Sequence, residues 1–232
     1  MNYISQYHPE VFTKPWLWSG YFKDFHSDEE ITEFASAGAI ASGTSAIIDK
    51  TYGILRLSGA ATTDNSGYEY QYDGETIALV ANKITLFTTS IKLNETTSAN
   101  VAAESDFITG ICITDTDLLG AFTDGIYFQK NDGDAYLDCH VKRDSVDSAS
   151  LAVATLVAGV TYVLEIKVVM SATAGTGTAY FYVNGAEVAK ITSVTMPYDG
   201  EEYLTSSLTF QTGDNTGTKW ADYDYIGAWV QR

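Results

Sequence analysis

Apolar and polar positions alternate with period two along most of the chain, the pattern of strands with one face buried. Tyr162, Leu164, Ile166 and Val168 alternate with Thr161, Glu165 and Lys167. Leu137, Cys139 and Val141 alternate with Tyr136, Asp138 and His140, which puts His140 on the polar side and predicts that it is exposed. Phe107, Thr109, Ile111 and Ile113 follow the same rhythm less cleanly. Between Lys83 and Leu93 the apolar phase slips at Leu86 and Phe87, which predicts a bulge or a bend. Trp220, Tyr223, Tyr225 and Trp229 of the last strand are read as one aromatic face turned into the core.

The turns sharpen this picture. Asn184-Gly185 lies between Tyr180-Phe181-Tyr182-Val183 and Val188-Ala189-Lys190-Ile191, and Asn-Gly tolerates the positive φ that a type I′ hairpin needs at both central positions. Asp132-Gly133 and Asp73-Gly74 predict a second and a third hairpin. Asp28 to Phe34, with Ser27 as cap and Glu30 at the capping-box position, is the best helix candidate and is short. About a dozen short strands separated by turn signals predict an all-β fold, an antiparallel two-sheet sandwich or a barrel. Strand–helix alternation is absent, which excludes a parallel α/β sheet. Residues 27–232 read as a single β-sandwich domain without a linker, and residues 1–26 as an extended N-terminal arm with the first strand. The arm mixes Tyr, Pro, Phe and Trp without a period, and its Trp16 and Trp18 are the candidates for contact with a partner subunit.

Composition narrows the function. Thirty acids against 13 bases give a net charge of −17, a field that repels nucleic-acid backbones and anionic membrane surfaces. No apolar run is long enough to span a bilayer, and the first residues lack the basic and apolar regions of a secretory leader, so either synthesis in a cytoplasm or a mature fragment is expected. Cys112 and Cys139 sit in apolar strand runs and read as buried thiols, with a cross-strand bridge left open.

The second half carries a resemblance. Gly125-Ile126-Tyr127-Phe128, then the Tyr182-Val183-Asn184-Gly185 hairpin, then Asp224-Tyr225-Ile226-Gly227 in a final strand, resemble the concanavalin A-like lectin/glucanase superfamily, laminin-G-type jelly rolls included. The match runs over roughly residues 105–231. In style it is most similar to structural proteins of tailed-phage virions. That resemblance implies a non-catalytic capsid decoration protein at the virion surface, a homo-oligomer (a trimer is expected) whose partners are the major capsid protein or other virion proteins. The alternative it implies is a lectin-like module that binds glycans.

The same residues limit the chemistry the chain can carry. Glucanases of this superfamily carry Glu-x-Asp-x-x-Glu, two acids of which reach one glycosidic bond. Glu104-Ser105-Asp106 matches the first half, but Thr109 stands where the third acid belongs, so no catalytic residue is assigned. Neither a nucleophile elbow nor a zinc-binding helix occurs. Asp115, Asp117, Asp132 and Asp134 place carboxylates at alternate loop positions and are the candidates for Ca²⁺; ordinary turn chemistry is the competing reading. No other cofactor is expected.

Overall fold

A computed structural model describes residues 14–25, 34, 38–49, 53–72, 74–96, 102–120, 122–198 and 203–232. Most of the expected arm and helix, residues 1–13 and 28–33, therefore lie outside the described residues.

The expected two-sheet antiparallel jelly-roll sandwich is present. The first sheet, sheet A, joins β1 (Trp18–Lys23), β3 (Thr44–Asp49), β4 (Ile54–Ser58), β6 (Ile84–Glu95), β11 (Thr161–Met170), β12 (Thr176–Val183), β13 (Ala186–Thr195) and β15 (Lys219–Gln231). Its order is β13-β12-β11-β6-β15-β4-β3, with β1 on the far half of β15. The second, sheet B, runs β10 (Val146–Thr155), β9 (Tyr136–Arg143), β8 (Gly125–Lys130), β7 (Ser105–Cys112), β14 (Thr205–Thr212), β5 (Gly67–Gln71) and β2 (Gly38–Ile40). Alternation sends every second side chain of each sheet into the shared core. Phe87, Ile166, Phe181 and Tyr223 meet Phe107, Phe128, Leu137 and Phe210 there, all of them buried. Burial of each such side chain stabilises by about 1.5–3 kcal/mol. Phe128 and Phe181 meet edge to face across the sheets at 5.2 Å, and the buried Tyr223 hydroxyl donates to the Thr209 carbonyl oxygen at 2.8 Å.

Two hairpins stand where the turn residues put them. Asn184 and Gly185 have φ of 49° and 76°, as the type I′ geometry requires. Asp132-Gly133 turns β8 into β9. The hairpin expected at Asp73-Gly74 is absent: Tyr72 donates to the Ser206 carbonyl, and Thr76 and Ile77 both donate to that of Leu204. The chain makes an excursion and continues along β14, because β14 offers a ladder to both sides of the turn.

The phase slip in β6 is also not a bulge in that strand. Its register with β11 is unbroken from Lys92 to Ile84. Leu86 and Phe87 are both buried because both faces of β6 are covered, Phe87 by the core and Leu86 by Trp18 and Trp229 outside the sandwich. The bulge lies on the neighbouring β15, where Tyr223 pairs with Ile91 and Ile226 with Thr89. It flips the strand's phase, so Ala221 and Tyr223 face the core before it and Ile226 and Ala228 after it. The four rings of β15 therefore do not share a face: Tyr223 points in, Trp229 packs outside on Trp18, and Trp220 lies under the Arg56 guanidinium at 4.4 Å. Cys112 and Cys139 are buried free thiols on opposite faces of sheet B, which rules out the bridge.

Candidate functional site

The outer face of sheet B carries the richest polar chemistry. The registers line up Gln71, Ser207, Gly110, Tyr127 and His140 across five strands. A second row runs through Glu69, Thr209, Ile108, Gln129 and Asp138, with the Thr209 hydroxyl bonded to the Ile108 backbone. Tyr127 and His140 are direct cross-strand partners and stack with centroids 5.0 Å apart and planes within 5°. His140 Nδ1 lies 2.8 Å from Asp147 Oδ2. Gly110 gives the tyrosine its place: a Cβ there would come within 2.6 Å of the Tyr127 backbone.

This face is not open. The segment between β7 and β8, described over residues 113–120 and 122–124, folds back over it. Leu118 and Phe122 are buried against Ile108, Cys112 and Tyr127, and Phe122 meets the Tyr127 ring edge-on at 4.9 Å. The polar side chains of β5 and its extension hold the loop's backbone. Gln71 accepts from the Asp115 N–H at 2.9 Å and donates to the Ile113 carbonyl at 3.0 Å. Glu69 accepts from the Leu118 N–H at 3.4 Å, and Glu75 from the Thr114 N–H at 3.1 Å. Glu69 is 4% exposed. Desolvation pushes its carboxyl up to about 7 against the pull of the Leu118 N–H, and the nearby Asp117 and Asp115 charges add to the rise. Burial likewise raises the Tyr127 phenol, with Asp147 and Cys112 adding to it, and lifts the Cys112 thiol to about 12.

His140 corrects the expectation of an exposed residue. It is 7% exposed because Tyr127 covers its ring, and its Nε2 is buried without a hydrogen-bond partner. Alternation placed it on the outer face, and alternation by itself carries no signal that a loop would make that face interior. An apolar pair, Leu118 and Phe122, inside an otherwise polar loop was the available clue.

The calcium candidates have other work. Asp115 Oδ1 accepts the Asp117 N–H at 3.1 Å, and Asp134 Oδ1 accepts the Tyr136 N–H at 2.8 Å, both ordinary aspartate turns. The Asp132 N–H donates to Asp106 Oδ1 at 2.6 Å. The positive charge beside Asp132 and Asp134 is Lys130, fully buried, whose ammonium donates to the Ala103 carbonyl at 2.8 Å and to that of Ser105. Burial drives Lys130 down to about 8, while Asp106, Asp132, Asp134 and Glu104 work to keep it charged. Among the described residues no three His, Cys, Asp or Glu side chains gather as cation ligands. Asp106, the half-motif acid, is raised by desolvation and spent on the β8–β9 turn rather than paired with Glu104 across a cleft. The two arm tryptophans part company: Trp16 is 66% exposed, whereas Trp18 is 4% exposed under Trp229 and Leu86. Trp18 is thus an anchor within its own sandwich, because β1 pairs with β15 from Trp18 onward.

Solved structures share the fold. An endo-1,3-β-glucanase from Streptomyces sioyaensis superposes with a TM-score of 0.61 at 10% identity, over 93% of this chain and 97% of that one. The chain has the concanavalin A-like jelly-roll fold. An endo-β-1,4-glucuronan lyase from Trichoderma reesei gives 0.57 at 15% identity over 90% and 94% of the two chains. The potassium-bound carbohydrate recognition domain of Emp46p gives 0.59 at 8% identity over 86% and 89%. Identities this low show the fold alone, and this fold serves lyases, glucanases and a lectin-type domain alike. No known family's sequence profile matches the chain, and no curated protein matches it by sequence.

Proposed function

We propose that the chain is a non-catalytic structural domain of a virus particle, a decoration protein on a phage capsid, in which the jelly roll serves as a rigid knob. One observation carries the non-catalytic part. The polar row on the outer face of sheet B is engaged in holding the protein's own loop, with Leu118 and Phe122 seated on Tyr127. Acid–base catalysis needs its groups within reach of a substrate proton, and here the tyrosine and the histidine face protein. The capsid role rests on the sequence resemblance, and the compact, loop-closed sandwich is consistent with it. Incubation with 1,3-β-glucan, glucuronan and alginate should release neither reducing ends nor unsaturated uronates; turnover of any of them overturns the non-catalytic reading. An antibody against the chain should label particles from the cells that produce it, and unlabelled particles overturn the capsid role.

A lectin-like role is the second reading. It is favoured by the carbohydrate recognition domain among the fold neighbours. It requires saturable binding to at least one glycan of a diverse panel. A flat response across the panel removes it.

A further inference from the structure

The two ends of β15 differ in charge and in exposure. At its C-terminal end a short 3₁₀ turn, Pro15–Leu17, is tied down by three hydrogen bonds. The Leu17 N–H donates to the Lys14 carbonyl at 3.0 Å, the Arg232 N–H to the Leu17 carbonyl at 2.7 Å, and Lys83 Nζ to the Arg232 carbonyl at 2.7 Å. These bonds bring the Lys14 and Arg232 backbones and the Lys83 ammonium, three of the chain's 13 basic residues, to the turn that carries Trp16, 66% exposed, and Leu17, 39% exposed. Trp18, the next residue along, is buried beneath Trp229, so Trp16 is held out from a fixed base and little freedom is left to lose on docking. An exposed tryptophan among cations is out of keeping with a chain of net charge −17.

The other end of β15, 13 residues and about 40 Å away, is its opposite. Four loops meet there, joined by bonds from the Gly213 N–H to the Glu104 carbonyl at 3.0 Å, the Gly133 N–H to that of Ala103 at 2.9 Å, and the Asn65 N–H to that of Thr212 at 3.0 Å. Asp64, Asp132 and Asp134 are exposed on them, with Glu104, Asp106 and Asp214 half-buried behind. The two lysines of this end, Lys130 and Lys219, are fully buried and offer no charge to a partner's surface.

We propose that copies of this chain associate head to tail, the Trp16 corner of one seated on the acidic end of the next. Among the described residues the exposed charges are basic at one end and acidic at the other, so the contact is heterologous. Such contacts close into rings or propagate as filaments according to the angle between copies. Complementary charges speed encounter and fix register, and a buried aromatic anchor supplies most of the affinity. The inference deepens the structural reading, since particles are built from repeated copies. Turnover or glycan binding would overturn that reading and leave this contact untouched.

Light scattering behind a sizing column, over a range of concentrations, tests it. Oligomers are expected at low salt and smaller species at about 0.5 M salt, where charges are screened beyond a few ångströms. Trp16→Ala should weaken association about tenfold or more. A head variant, Trp16→Ala with Lys14→Glu, and a tail variant, Asp64→Lys with Asp134→Asn, should each remain monomeric, with circular dichroism unchanged. Mixed, they should form one-to-one dimers and nothing larger, since one intact head meets one intact tail. A wild-type chain that stays monomeric at low salt overturns the proposal. So do oligomers indifferent to Trp16→Ala and to salt, and so does a mixture that stays monomeric.

Discussion

The sandwich seals its two outer faces by different means, and the difference bears on how each could be lost. On sheet A the cover belongs to the sheet. Trp18 on β1 and Trp229 on β15 close over Leu86, with Phe22 stacked 6.3 Å from Trp229 and 5.3 Å from Tyr225. Beyond them Asp222 takes a bidentate bond from Arg56 at 2.7 and 2.9 Å and a third from Asn94 at 2.9 Å. Every one of these residues stands on a strand. On sheet B the cover is a loop, and its hydrogen bonds to the β5 side run through the side chains of Glu69, Gln71 and Glu75. A strand-borne cover can be lost only with the sheet. A loop held by side chains can lift while the ladders beneath stay intact, which is the usual origin of local opening at less than the global free energy.

Removal of one anchor from each face separates the two cases. Trp229→Ala, the largest expected effect, should lower global stability by about 4 kcal/mol, through lost transfer energy and the cavity left behind. Denaturant unfolding should show a lower midpoint with an unchanged slope, and hydrogen exchange should accelerate throughout sheet A. Leu118→Ala removes a fully buried leucine, a change that costs about 2–5 kcal/mol where the surroundings must stay folded. Here the loop can detach instead, so the global loss should be about 2 kcal/mol or less while exchange across residues 113–124 rises steeply. Equal global losses in the two variants would show that the loop unfolds only with the sandwich and would erase the contrast.

What the sequence made legible follows the same division. Alternation and the Asn184-Gly185 turn were enough for the strands, because one-face-in patterning and turn chemistry are local properties. The covers were not legible, since they depend on which distant segment lands on an outward face. Leu86 read as a phase slip because Trp18 and Trp229, which bury it, come from opposite ends of the chain. His140 read as exposed because alternation places it on the outward face and carries no sign of the Tyr127 ring that covers it. The aspartates read both as cation candidates and as turn residues, because carboxylate spacing cannot tell a cation loop from an aspartate turn, as at Asp115, or from a shell around a lysine, as at Lys130. Asp73-Gly74 has the composition of a hairpin turn, and only the presence of β14 alongside keeps the chain running on.

The smallest expected effect tests the latch itself. The folded-state carboxyl of Glu69 stands at about 7, above its ordinary 4.5. Between those values the folded chain holds a proton that the unfolded chain has released, so this group's contribution to stability is largest below about pH 4.5 and falls as pH rises to 7. The loss is on the order of 1 kcal/mol once solvent screening near the loop is allowed for. Glu69→Gln keeps an oxygen for the Leu118 N–H and removes the titration. The variant should match the wild type near pH 4, exceed it slightly near pH 8, and show slower exchange at Leu118 at the higher pH. If the wild-type protection factor at Leu118, exchange corrected for its intrinsic pH dependence, is flat across this window, Glu69 ionisation does not govern the loop. Closure would then rest on Leu118, Phe122 and the bonds of Gln71 and Glu75, and the loop would be as insensitive to Glu69 ionisation as the strand-borne cover on the opposite face.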